Sequence, residues 1–156
     1  MKKLFKPHFP IISLLILSTL LLNAEDGYDL WLRYKKIESS ELLTNYRANV
    51  SKIYIEGQSE TLNVAKKELQ KGLSGLLDRE PVFQSNVENK GTLVLSTSKK
   101  WFHLSKDILN YYHKALNKEG YVIKTLTNNE GKEIIFIGGR TDIGVLYGVF
   151  HFLRLL

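Results

Sequence analysis

Cysteine is absent from the 156 residues, and proline, tryptophan and methionine number only three, two and one. Without cysteine there is no disulfide framework, no thiol nucleophile, no thiolate zinc site, no iron–sulfur cluster and no lipid-anchoring cysteine. The chain is also too short for a complete (β/α)8 barrel, which takes ~250 residues. No H-E-x-x-H and no G-x-S-x-G occurs, so neither a helical zinc-hydrolase motif nor a serine nucleophile elbow is present. The longest apolar run, Ile11 to Leu22, falls short of the ~18–20 residues that span a bilayer as a helix. What is there reads as one globular domain, with 44% hydrophobic and 24% charged residues.

The N-terminus is an address. Lys2, Lys3 and Lys6 form a basic region, Ile11–Leu22 an apolar one, and Asn23-Ala24 a small-residue cleavage site. This predicts a signal peptide over 1–24, a mature domain over 25–156, and export to the periplasm or the extracellular space without stable membrane insertion. Removing the first 24 of 156 residues leaves 132, and the net charge falls from +6 to +3. The remaining basic pairs (Lys35-Lys36, Lys66-Lys67, Lys99-Lys100) are dispersed, whereas phosphate backbones select a concentrated basic stripe. No nucleic-acid partner is expected.

Periodicity predicts the order α, β, α, β, α, β, β, α. Ser39 or Ser40 caps a helix bearing Leu42, Leu43, Tyr46 and Val50, and Lys52–Glu56 alternates as a strand before Gly57. Ser59 or Thr61 opens a helix with Leu62, Ala65, Leu69, Leu73 and Leu76 on one face, and Gly72 and Gly75 mark its end. Val82-Phe83 after Pro81 reads as a short edge strand, and Thr92–Ser96 as a buried one. Ser105 caps a helix over 106–117. Tyr121–Leu126 and Glu133–Ile137 flank an Asn128-Asn129-Glu130-Gly131 turn, a hairpin whose second strand is covered on both faces. Thr141 caps the last helix, which is apolar around its whole circumference from Ile143 to Leu156, with Gly144 and Gly148 allowing close backbone approach. Such a helix predicts a further covering layer. The fold class is α+β, a mixed sheet with helices packed on it as a two-layer sandwich.

Candidate sites are few. Gly139-Arg140-Thr141-Asp142-Ile143-Gly144 has P-loop glycine spacing, but Val145 replaces the phosphate-binding lysine and Asp142 repels an anion, so the segment reads as structural. His8, His103, His113 and His151 lack ligand spacing, and His151, between Phe150 and Phe152, reads as a core or interface residue. The carboxylates Glu25, Asp26, Asp78, Glu80 and Glu130 lie at element ends and form no pair suited to glycoside cleavage. Trp31, Tyr34, Trp101, Phe102, Tyr111 and Tyr112 are aromatic enough to stack on sugars, although core packing is their ordinary use. Catalytic, cofactor and metal residues are all expected to be absent.

Glu25-Asp26-Gly27-Tyr28-Asp29-Leu30-Trp31-Leu32-Arg33-Tyr34 resembles the start of the N-terminal domain of family 67 glycoside hydrolases, the α-glucuronidases of xylan breakdown. Similar stretches follow at Lys71–Leu77, Leu93–Thr97 and Glu119–Ile123, and above all at Ile137–Phe150, running on to Leu153–Leu156. The resemblance implies an accessory domain, like those preceding hexosaminidase barrels, whose last helix leads into a catalytic (β/α)8 barrel. It implies a parent enzyme that removes glucuronic or 4-O-methylglucuronic acid from xylo-oligosaccharides by inversion and without a metal, and it allows a homodimer of that enzyme. The family's catalytic carboxylates lie in the barrel, which would start after Leu156, so none is carried onto this chain. The expectation is a non-catalytic domain whose partner is the barrel and which meets xylo-oligosaccharide through it. An independent carbohydrate-binding or protein-interaction module is the alternative.

Overall fold

The computed structural model describes residues 33–87, 91–97, 116–127, 131 and 133–156. Among them lie α1 (Ser40–Asn49), β1 (Lys52–Ile55), α2 (Glu60–Leu77), β2 (Val82–Gln84), β3 (Thr92–Ser96), β4 (Tyr121–Thr127), β5 (Glu133–Gly139) and α3 (Asp142–Leu155). The proposed signal peptide, the 106–115 part of the helix expected over 106–117, and the Asn128–Glu130 part of the hairpin turn lie outside the described residues. Leu116 and Asn117 are described and are not helical.

The strands form one sheet in the order β2-β1-β3-β5-β4. Four run parallel, with Ile53 opposite Leu93 and Leu95 opposite Ile137, and β4 pairs antiparallel with β5 as the predicted hairpin. The sheet is mixed and open, as the α+β reading requires. Its middle strand is β3, buried at every position including Thr92 and Ser96, and β5 beside it is buried at Ile134 and from Phe136 to Gly139. Strands apolar on successive residues are those covered on both faces. The short β2 stands at the edge.

Helix ends follow local chemistry. Ser39, Ser59 and Thr141 each take an extended N-cap conformation and accept the backbone N–H three residues on, satisfying a donor that the first turn leaves open. α2 does not stop at Gly72 and Gly75. It runs through both to Leu77 and ends on Asp78 in the left-handed conformation (φ 51°). The two glycines serve close packing instead: a β-carbon on Gly72 would stand 2.7 Å from Leu153 Cδ1, and one on Gly75 2.5 Å from the Tyr34 carbonyl oxygen. Arg47 closes the helix end, its Nε donating to Leu77 O at 2.8 Å.

One face of the sheet packs Ile53, Leu93, Leu95 and Ile137 against Leu62, Ala65, Leu69 and Leu73 of α2 and Val145, Val149, Phe152 and Leu153 of α3. The opposite face holds a second cluster of Val94, Leu116, Leu126, Ile134 and Phe136. α3 lies on the first face because Gly144 and Gly148 let its backbone down onto the 120–121 segment and Ile137.

Candidate functional site

α3 is amphipathic in place though not in composition. Gly144, Val145, Gly148, Val149, Phe152 and Leu153 are buried. On the outer side Ile143, Tyr147 and Leu155 are 40%, 43% and 60% exposed. The expectation that water would be excluded from most of this helix is therefore not met by the domain's own layers: the sheet and α2 cover one side only. Ile143, Tyr147, His151 and Leu155 follow one another at four-residue steps along one ridge, which winds round the helix so that Leu155, at its last position, lies about 120° from Ile143. His151 belongs to this outer side. It is exposed, not part of the core, and its Nδ1 shares a 2.8 Å hydrogen bond with Tyr121 Oη while the two rings meet edge-on.

The loop before α3 is architectural, as its sequence predicts. Arg140 Nη1 donates to Leu116 O at 2.9 Å, and Thr141 Oγ1 donates to Lys118 O while also accepting from Gly144 N. The Arg140 and Thr141 side chains of the would-be phosphate loop are thus committed to the protein.

In an open sheet with parallel strands, ligands commonly sit where the strand order reverses, outside the carboxyl ends. Here that point lies between β1 and β3, and Ser96 Oγ fills it by donating to Glu56 Oε2 at 2.5 Å.

Of the carboxylates singled out from sequence, Glu25, Asp26 and Glu130 lie outside the described residues. Asp78 pairs with Lys36 at 2.7 Å and lies 3.9 Å from Arg47. The hydrogen bond and charge of Lys36 hold the Asp78 carboxyl below its ordinary value. A general acid needs the opposite shift. Glu80 accepts a 3.3 Å bond from Gln70. Among the described residues no group of three or more His, Asp or Glu is placed to hold a metal ion, and no helix is long and apolar enough to cross a membrane.

Tyr34 is the one described member of the six aromatics considered for stacking, and it is not a platform. It lies across Gly72 and Gly75, with its hydroxyl buried and, among the described residues, without a hydrogen-bond partner. Burial, and then the nearby Glu68 carboxylate, push its phenol up to about 12. The folded state therefore holds this proton more tightly than the unfolded chain, whose tyrosines titrate near ~10. That share of stability is full below about pH 10 and is lost as pH rises through about 12. Urea melts across this range are expected to show Tyr34→Phe losing less stability than the parent chain; parallel curves would disprove the assignment.

Three segments of the family resemblance meet at this point: Tyr34 from the opening motif, Gly72 and Gly75 from the second, and Leu153 from the last. The family model for the glycosyl hydrolase family 67 N-terminus matches residues 30–152. The chain belongs to this family. It is 28% identical over 157 residues to the alpha-glucuronidase of Hypocrea jecorina, covering 94% of this chain and 17% of that protein. It is 26% identical over 147 residues to the probable alpha-glucuronidase A of Aspergillus clavatus, covering 91% of this chain and 16% of that protein. The chain thus corresponds to a small part of each of these relatives. As a family 67 N-terminal domain it presents the outer row of α3 as its candidate functional surface.

Proposed function

We propose that the chain serves as the non-catalytic N-terminal domain of an α-glucuronidase, bracing a catalytic (β/α)8 barrel through the outer row of α3. The observation that carries this reading is the exposure of Ile143, Tyr147 and Leu155 on a helix whose other side is fully packed. Burying a whole side chain of this size is worth ~1.5–3 kcal/mol. Covering three that are about half exposed would contribute on the order of 3 kcal/mol to docking. The relatives, named as α-glucuronidases, have ample further chain to supply that cover.

In this reading the whole enzyme removes glucuronic or 4-O-methylglucuronic acid from xylo-oligosaccharides in xylan catabolism, and residues 1–24 direct export. The domain's part is mechanical: it shields an apolar face and fixes the barrel's entry.

Purified chain incubated with aldouronic acids is expected to release no uronic acid. Mixed with a separately produced family 67 barrel, it should co-elute in size-exclusion chromatography, and the triple variant Ile143→Ser, Tyr147→Ser, Leu155→Ser should not. Uronic acid release by the chain alone, or co-elution undisturbed by the triple variant, would overturn the proposal. N-terminal sequencing of exported material checks for cleavage after Ala24.

A further inference from the structure

α3 does not cover the whole length of β5. It descends from Gly120 past Ile137 and ends beside the start of the strand, where a cleft of about 310 Å³ opens between the last turns of α1 and α3. The register fixes which side chains face it. Thr125 pairs with Ile135 on β4 and β5, and both share the helix-covered face with Ile137 and, two residues the other way, with Glu133. Tyr46, Asn49 and Val50 come from the end of α1, and Phe152 and Leu156 from the end of α3. Val50 and Phe152 are buried, so the walls are core side chains.

The open polar atoms of this cleft all accept hydrogen bonds. Asn49 commits its Nδ2 to Asn45 O at 3.0 Å, which leaves its Oδ1 open. Tyr46 Oη, Thr125 Oγ1 and the Glu133 carboxylate have no hydrogen-bond or ion-pair partner among the described residues. Of the described residues that line the space, Glu133 alone is charged. Its position is electrostatically adverse. Glu41, Glu60 and Asp142 stand in helix first turns, whose partial positive charge offsets them, whereas Glu133 faces the partially negative ends of two helices. The basic residues of those last turns do not relieve it: Arg47 Nε donates to Leu77 O, and Arg154 does not line the cleft. An apolar and aromatic wall, four acceptor groups and an unneutralised carboxylate are complementary to a planar cation with several N–H donors.

We propose that this cleft receives an arginine side chain of the polypeptide that covers α3. Glu133 takes the guanidinium, Tyr46, Asn49 and Thr125 accept its remaining N–H groups, and the aliphatic stem lies on Phe152 and Ile135. The cleft continues from the exposed α3 face, since Leu156 in its wall follows the exposed Leu155. In naming the barrel as the source of the arginine, the inference rests on the docking reading.

The first test needs no barrel. NMR titration of the full chain uses N-acetyl-L-arginine amide, the corresponding lysine amide and the uncharged citrulline amide. The arginine amide is expected to bind at least ~10-fold more tightly than citrulline amide, with lysine between them, and to shift the signals of Tyr46, Thr125 and Glu133. Glu133→Gln, at an exposed position that should leave the fold intact, is expected to bring arginine down to the level of citrulline. Equal binding of arginine and citrulline, lysine binding as tightly as arginine, no binding, or an unaffected Glu133→Gln chain would each overturn the proposal. The second test is titration of the barrel, where Glu133→Gln should weaken association by ~10-fold and flatten its salt dependence. Association lost in the triple α3 variant but unchanged in Glu133→Gln sinks the arginine site and leaves docking standing. If the parent chain and barrel do not associate, the docking reading falls, and the ranking of the three amides decides the cleft by itself.

Discussion

Phe136→Ala is expected to cost ~3–5 kcal/mol of folding stability, the range for truncating a fully buried phenylalanine. Phe136 is completely buried in β5, where it belongs to the cluster on the face opposite α2 and α3. Its neighbours there, Val94 and Ile134, point from strands whose backbones are tied into the ladder on both sides. They cannot close over a cavity without breaking sheet hydrogen bonds, so the upper part of that range applies. A domain of this size is stable by only ~5–15 kcal/mol in all. Chemical denaturation should therefore show a large loss in midpoint with little change in slope. Leu42→Ala, at an exposed position on α1, gives the contrast: a change within about 0.5 kcal/mol. A cost for Phe136→Ala as small as that of Leu42→Ala would mean the second face of the sheet is not a packed core.

Much of this fold is legible in the sequence alone, for reasons that are local. Ser39, Ser59 and Thr141 are caps because a short hydroxyl reaches the open N–H groups of the first turn, and that chemistry is written in a few adjacent residues. The β4–β5 hairpin is legible because turn-forming residues separate two apolar runs of similar length. Strand order is not. Ile53 lies opposite both Phe83 and Leu93, and nothing near Ile53 says which neighbours it will take, since crossovers are decided by how helices pack. Gly72 and Gly75 mislead for a related reason. A glycine late in a helix serves equally to end it or to admit a neighbour, and only Tyr34 and Leu153 lying over them decide for the second. The outer row of α3 is half legible: composition shows that the helix is apolar all round, while only packing shows which side is left over. Lys66 reads as one of a solvated pair and Phe83 as an edge-strand residue, and they meet only because α2 returns β2 alongside β1.

Gly144→Ala tests whether the seating of α3 is as tight as the structure requires, and it is expected to destabilise by ~1–3 kcal/mol. Helix propensity alone points the other way, since alanine is better than glycine by ~1 kcal/mol in a helix interior. That gain shrinks at Gly144, which stands in the first turn three residues after the cap. Against it stands a β-carbon that would be 2.5 Å from Gly120 O. The obstacle is backbone, and it is held from several directions. Gly120 N donates to Asn117 O, Thr141 Oγ1 donates to Lys118 O, and Arg140 Nη1 donates to Leu116 O. Relief therefore demands that α3 lift off, which would also loosen Val145 and Val149 from the sheet. Gly148→Ala is the informative partner. Its β-carbon would meet Ile137 Cγ2 at 2.5 Å and the Tyr121 side chain at 3.3 Å; the buried, β-branched Ile137 is stiff, so this too costs stability, but the obstacle is a side chain and not backbone, and the mid-helix position collects the full propensity gain. The expected order of melting temperatures is parent, then Gly148→Ala, then Gly144→Ala. A Gly144→Ala chain as stable as the parent would mean that α3 does not sit against the 117–120 turn. The exposure of Ile143, Tyr147 and Leu155 depends on that placement, so the docking face would go with it.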